Sequence, residues 1–147
     1  MKSFLRIIAF SIIFIICVEL VIVLINNQIA DGIKKELIRT QSIPEIQIIE
    51  SISIAGKIFG NGNGIQYTGA ILVKSTISQN RIKEYYTSFF PECIVLSLKQ
   101  SQLAKYFHFS QATDSVYYII SITRDVESGL LQDSIIYELL SMDYRAH

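Results

Sequence analysis

Apolar and polar positions follow three rhythms along the chain. From Ile7 to Ile25 there is almost no polar position at all: IIAFSIIFIICVELVIVLI, 19 residues with Glu19 as their one charge. A helix of that length rises about 28 Å, close to the thickness of a hydrocarbon core. From Asn26 to Thr40 the chain turns polar but keeps Ile29, Ile33 and Leu37 at i, i+4 and i+8, so one helical face stays apolar. The spacing predicts that the helix continues for about three more turns. Gly32 weakens it locally, and Gln41-Ser42-Ile43-Pro44 ends it, because proline disfavours helix in the residue before it.

Beyond Pro44 the period drops to two. Ile52, Ile54 and Ile58 alternate with Ser51, Ser53 and Lys57; Ile65, Tyr67, Ile71 and Val73 alternate with Gln66, Thr68 and Lys74. Both runs read as half-buried strands. Ile94, Leu96 and Leu98 predict a third strand, and Val116, Tyr118, Ile120 and Ile122 a fourth. Between the strand pairs, Ser78 is placed to cap a helix carrying Ile82, Tyr85, Tyr86 and Phe89 on one side, with Ile77 and Ile82 as a hydrophobic staple and Pro91 as its limit. Leu131, Ile135, Leu139 and Met142 form a last helical stripe. Gln100 to Ser115 is polar around an aromatic knot at Tyr106-Phe107-His108-Phe109, and reads as a long loop or a further strand. The order ββαββα predicts an α+β fold: a single N-terminal transmembrane helix, then a small domain with an antiparallel sheet of about four strands and two helices on one face.

Between the first two strands lies Gly60-Asn61-Gly62-Asn63-Gly64. A phosphate-cradling glycine loop leads into a helix whose first amides hold the anion. Here a strand follows, and Asn-Gly is the favoured pair for tight hairpin turns. The stretch therefore reads as a hairpin tip, with Asn61 and Asn63 as the side chains there that a ligand or partner would meet. Gly56 and Gly69 fall inside the strands, where glycine marks a bulge or a close backbone approach.

Composition and charge place this arrangement. Half of the 147 residues are hydrophobic, and the mean hydropathy of +0.39 is high for a soluble domain. Lys plus Arg and Asp plus Glu balance at 13 each, so the chain has no electrostatic footprint for nucleic acid. Lys2 and Arg6 precede the apolar run and mixed charges follow it, which puts the amino end in the cytoplasm and the rest outside. The expected layout is a transmembrane signal-anchor over 1–27, a juxtamembrane helical stalk over 28–43, and an extracytoplasmic α+β domain over 44–147 that folds without the anchor. The other leaders fit less well. A cleaved signal peptide has a shorter apolar core and a small-x-small site, whereas Gln28-Ile29-Ala30 begins with a large residue. A lipoprotein signal would put a small residue before the cysteine, but Ile16 precedes Cys17. A type IV pilin leader would put a glycine a few residues before Glu19, and there is none. Glu19 costs a few kcal/mol near mid-bilayer; it reads either as a contact to another transmembrane helix or as a protonated or interface-reaching side chain.

The block Gly56 to Phe89, GKIFGNGNGIQYTGAILVKSTISQNRIKEYYTSF, resembles an uncharacterised group of short, membrane-anchored proteins of Gram-positive, Clostridia-like bacteria. Pro44, Gly60 to Gly64, Tyr67, Gly69 to Ser75 and Tyr85-Tyr86 carry the match, firmly over about a quarter of the chain and in layout over the remainder. The resemblance implies an envelope location and a fold, and brings no activity with it.

Candidate chemistry is sparse. No serine sits in a nucleophile elbow and no histidine is placed by motif to activate one. Cys17 and Cys93 lie in different segments, and Cys93 reads as a buried structural thiol. His108 and His147 do not combine with them at metal-ligand spacing. The expectation is a protein that is not an enzyme and carries no cofactor or metal: a membrane-tethered extracytoplasmic binding or accessory domain, or alternatively a pilin-like structural subunit with a long N-terminal helix. Its expected partners are the lipid bilayer and another membrane or envelope protein. Asn61, Asn63 and Glu19 are the candidate contact residues.

Overall fold

A computed structural model describes residues 2–40, 43–58, 65–109 and 117–125. The first element is a single helix, α1, Lys2–Arg39. Neither Gly32 nor the polar change at Asn26 breaks it, and it is long and apolar enough to cross a membrane. Four strands follow: β1 Ile46–Gly56, β2 Gln66–Ser75, β3 Ile94–Ser97 and β4 Tyr117–Asp125. Between β2 and β3 lies α2, Gln79–Thr87, capped as its sequence predicts by Ser78 Oγ, which accepts from the Arg81 amide at 3.5 Å. A 3-10 turn, Gln102–Tyr106, sits between β3 and β4. The strands form one antiparallel sheet in the order β1-β2-β4-β3. The α+β class and the antiparallel four-stranded sheet are thus as read from the sequence. The helix expected over Leu131–Met142 lies outside the described residues.

Each sheet face has its own core. On the first face, Tyr67, Ile71 and Val73 of β2, Ile120 and Ile122 of β4 and Val95 of β3 join Ile82 and Tyr86 of α2. They also join Ala30, Ile33 and Leu37 of α1, all at most 4% exposed. On the second face, Ala70, Leu72 and Ile119 are covered by Leu103 and Phe107, with Ile52, Ile54, Leu98 and Phe109 packed around them. The described part of the segment read as a loop or extra strand, up to Phe109, therefore covers the second core, and its remainder lies outside the described residues. The Phe109 ring lies 4.8 Å from that of Tyr117.

Two readings of the strands change. Central in the sheet, β2 is buried on both faces; Thr68, Ala70 and Leu72 are as inaccessible as Ile71 and Val73, so it is not half-buried. In β1 the register slips between Ile48 and Glu50, making Ile49 the extra residue of a bulge. The slip swaps faces: Ile46 and Ile48 turn to the first core, while Ile52 and Ile54 turn to the second. Ser51, Ser53 and Ala55 consequently share the first face with Gly69, and that face lies under α1 rather than in open water.

The stretch 28–39 is correspondingly part of the core and not a stalk standing clear of it. The inward stripe of α1 is Ile22, Asn26, Ala30, Ile33 and Leu37, each at most 4% exposed. Ile29, which the sequence placed on the apolar face, stays exposed. The boundary at Pro44 divides the chain but not the packing.

Candidate functional site

The seam between α1 and the sheet gathers most of the polar chemistry. It starts from backbone geometry. A Cβ added to Gly69 would meet the α1 main chain, 2.7 Å from the Ile33 carbonyl carbon and as close to the Lys34 Cα. Only glycine lets the helix come down so far, and the small Ser53 paired beside it keeps the trough open. Gly56 closes β1 at φ 152°, a conformation that residues with side chains avoid. Gly69 thus makes the close backbone approach expected of a glycine inside a strand, whereas Gly56 serves a positive φ at the strand's end and the bulge of β1 falls elsewhere, between Ile48 and Glu50.

Two turns before this contact, Asn26 faces the sheet fully buried, and the Tyr67 hydroxyl donates to its Oδ1 at 2.7 Å. Burial would be costly for either group without a partner. Farther along, the Arg124 guanidinium lies 3.0 Å from Glu36 on α1 and 3.0 Å from Glu92 before β3, tying helix, β4 and loop together. Burial alone would lower the Arg124 pKa, but the two carboxylates hold it above the ordinary arginine range. On the outer side of the helix, Asp31 pairs with Lys34 and, at 2.7 Å, with Lys35. Lys34 first, then Lys35, pull the Asp31 carboxyl down to about 2. Next to Asp31 a shallow groove of about 440 Å³ runs between α1 and the edge strand β1, lined by Leu24, Asn27, Gln28, Asp31 and Ser53.

No family model, curated protein or solved structure matches the chain.

The remaining candidates are dispersed. Glu19 lies on α1, half-buried, one turn before Ile22. Asn61 and Asn63 lie outside the described residues. Cys93 is buried, and burial first, then Glu92, push its thiol up to about 12, so it is held protonated and unreactive. Burial likewise pushes Tyr86 to about 12; its hydroxyl is the one buried side-chain polar atom without a hydrogen-bond partner among the described residues. His108 stands at the surface, where its backbone amide and Nδ1 meet the Glu50 carboxylate at 3.1 and 3.0 Å. No group of three or more His, Cys, Asp or Glu among the described residues is placed to hold a metal ion.

Asn26, Asp31, Ser53 and Tyr67 are the polar residues that the sequence reading passed over. A signal existed for Asn26: it sits on the 22-26-30-33-37 stripe, where a polar residue among apolar ones marks a buried hydrogen bond. None existed for Ser53, whose place depends on a one-residue bulge.

Proposed function

We propose that the chain is a single-pass membrane protein whose α+β domain acts outside the cytoplasm as a binding or accessory module held at the membrane surface, not as an enzyme. One observation carries this reading. A single helix, α1, has an exposed, apolar amino-terminal part and a carboxy-terminal part that is a core element of the domain. Apart from the half-buried Val18, the large hydrophobic side chains from Phe4 to Val21 are exposed, as a lipid-facing span requires. Their exposure in water would be unfavourable by roughly 1.5–3 kcal/mol per large side chain. The orientation follows from Lys2 and Arg6 before the span. Membrane fractionation with protease protection tests it. The protein should resist high salt and alkaline carbonate, and the domain should be cut only from the outer side. Recovery in the soluble fraction, or protection of the domain in intact cells, would contradict the proposal.

The same unbroken helix supports a second reading, a filament subunit whose apolar half packs against those of its neighbours. Intact mass separates the two. A processed subunit loses an amino-terminal leader, whereas a tethered domain keeps Met1 or loses only that methionine.

A further inference from the structure

One strip along α1 changes its chemistry in a fixed order. Ile13, Cys17, Leu20 and Leu24 stand at i, i+4, i+7 and i+11, on one side of the helix, and all four are exposed. The same side continues through Asn27, Gln28 and Asp31 to Lys34 and Lys35. Here the strip enters the groove against β1, whose walls are Leu24, Asn27, Gln28, Asp31 and, from the strand, Ser53. Leu24 belongs both to the groove and to the exposed apolar surface, so the groove opens directly onto that surface. Along one face the helix is therefore apolar, then neutral and hydrogen-bonding, then charged.

The charged end has an excess of positive charge. Asp31 pairs with both Lys34 and Lys35, so one carboxylate faces two ammonium groups. Helical side chains lean toward the amino terminus, and both lysines reach back to the level of Asp31. An ammonium has three N–H donors, and the contact with Asp31 takes one from each lysine. The others can serve an anion at the upper end of the groove. From Leu24 to Asp31 the helix rises about 10 Å. The headgroup layer on each side of a hydrocarbon core is about 5–7 Å deep. With the apolar run ending at Ile25, the groove extends from the last hydrocarbon turn through the headgroup layer. This placement follows from α1 alone and does not depend on which part of the sheet faces the bilayer.

We propose that the groove between α1 and β1 holds one anionic phospholipid. Its acyl chains lie along Leu20 and Leu24, its glycerol ester region at Asn27, Gln28 and Ser53, and its phosphodiester at Lys34 and Lys35. The inference rests on the membrane-anchored reading above and adds to it a specific lipid ligand. A headgroup with a single negative charge matches the one excess positive charge of the Asp31, Lys34 and Lys35 cluster. A zwitterionic headgroup would bring its own cation up to the lysines. A water-soluble phosphate ester would use the charged end and leave the apolar strip idle.

The test is native mass spectrometry of the full chain, released from neutral detergent after incubation with equal amounts of dioleoyl phosphatidylglycerol and dioleoyl phosphatidylcholine. One phosphatidylglycerol should be retained per chain, at least fivefold in preference to phosphatidylcholine. Lys34→Gln combined with Lys35→Gln should bring the two lipids within twofold of each other. Gln28→Leu, which keeps the charges, should lower phosphatidylglycerol retention at least threefold. Arg6→Gln, at the other end of the apolar run, should change neither. An unchanged preference in the double variant, or unchanged retention in Gln28→Leu, would overturn the lipid site while leaving the anchor intact. So would displacement of the lipid by an equal concentration of glycerol 3-phosphate. Flotation of the unmodified chain with liposomes of the same two lipids is measured alongside; failure to float would overturn the anchor and the site with it.

Discussion

Gly69 and Gly32 look alike in the sequence and do opposite things. At Gly69 an added methyl group would collide with the α1 backbone, which cannot give way as a flexible side chain could. Gly69→Ala should lower stability by about 2 kcal/mol, in the range of overpacked cores. At Gly32 nothing lies within 4 Å of an added Cβ, so Gly32→Ala keeps the helix and removes the glycine penalty. It should raise stability by about 0.5–1 kcal/mol. Thermal unfolding of both variants in detergent checks the pair; equal effects of one sign would contradict the close approach at Gly69. Tyr67→Phe removes the donor to Asn26 inside the same seam and should cost about 1–2 kcal/mol.

Cys93 offers a test that reports on burial directly. Its thiol should resist a disulfide reagent at pH 8 in the folded protein and react at once in denaturant; fast labelling of the native state would sink the assignment. The pH dependence follows by sign. The folded state keeps protons on Cys93 and Tyr86 up to about 12, while the unfolded chain releases them from about pH 8.5 and 10. Above those values the unfolded state binds fewer protons, so their contribution is complete below about pH 8.5 and is lost as pH rises toward 12.

Among the elements, α1 carries the largest consequence. Ala30, Ile33 and Leu37 are buried in the first core, and loss of the two large side chains alone forfeits about 3–6 kcal/mol. That is comparable to the whole stability of a small domain. A fragment starting at Ile43 should therefore show no cooperative melting, whereas one starting at Asn26 should melt cooperatively. Two equal transitions would show that the helix is not a structural part of the domain.

This is also where the sequence was least legible. Strand periodicity, the Ser78 cap and the reading of Gly69 as a close approach came straight from local pattern, because each depends on neighbours in the chain. The role of 26–39 did not. An amphipathic stripe says that a face will be covered without saying by what, and the polarity of this segment suggested a stalk. The β1 bulge was hidden for a related reason: Ile46, Ile48, Ile52 and Ile54 keep one parity in the sequence, and only pairing with β2 shows that they serve two faces. Of the candidate site residues, Glu19 is placed on α1 apart from the polar seam, while the seam itself rests on tertiary contacts that no local pattern encodes.

For the whole molecule, one helix makes the apolar span and the domain a single mechanical unit. On the proposed membrane-anchored reading, a protein so built holds its domain at one angle to the bilayer. The most direct measurement is a spin–spin distance between labels at Phe14→Cys and Ile38→Cys, in the Cys17→Ser chain in lipid nanodiscs. Both sites are exposed, one in the apolar half of α1 and one near its end. An unbroken helix gives one narrow distribution centred at about 36 Å. A broad distribution, or a centre well short of that value, would mean a hinge between span and domain, and the single-unit description would be wrong.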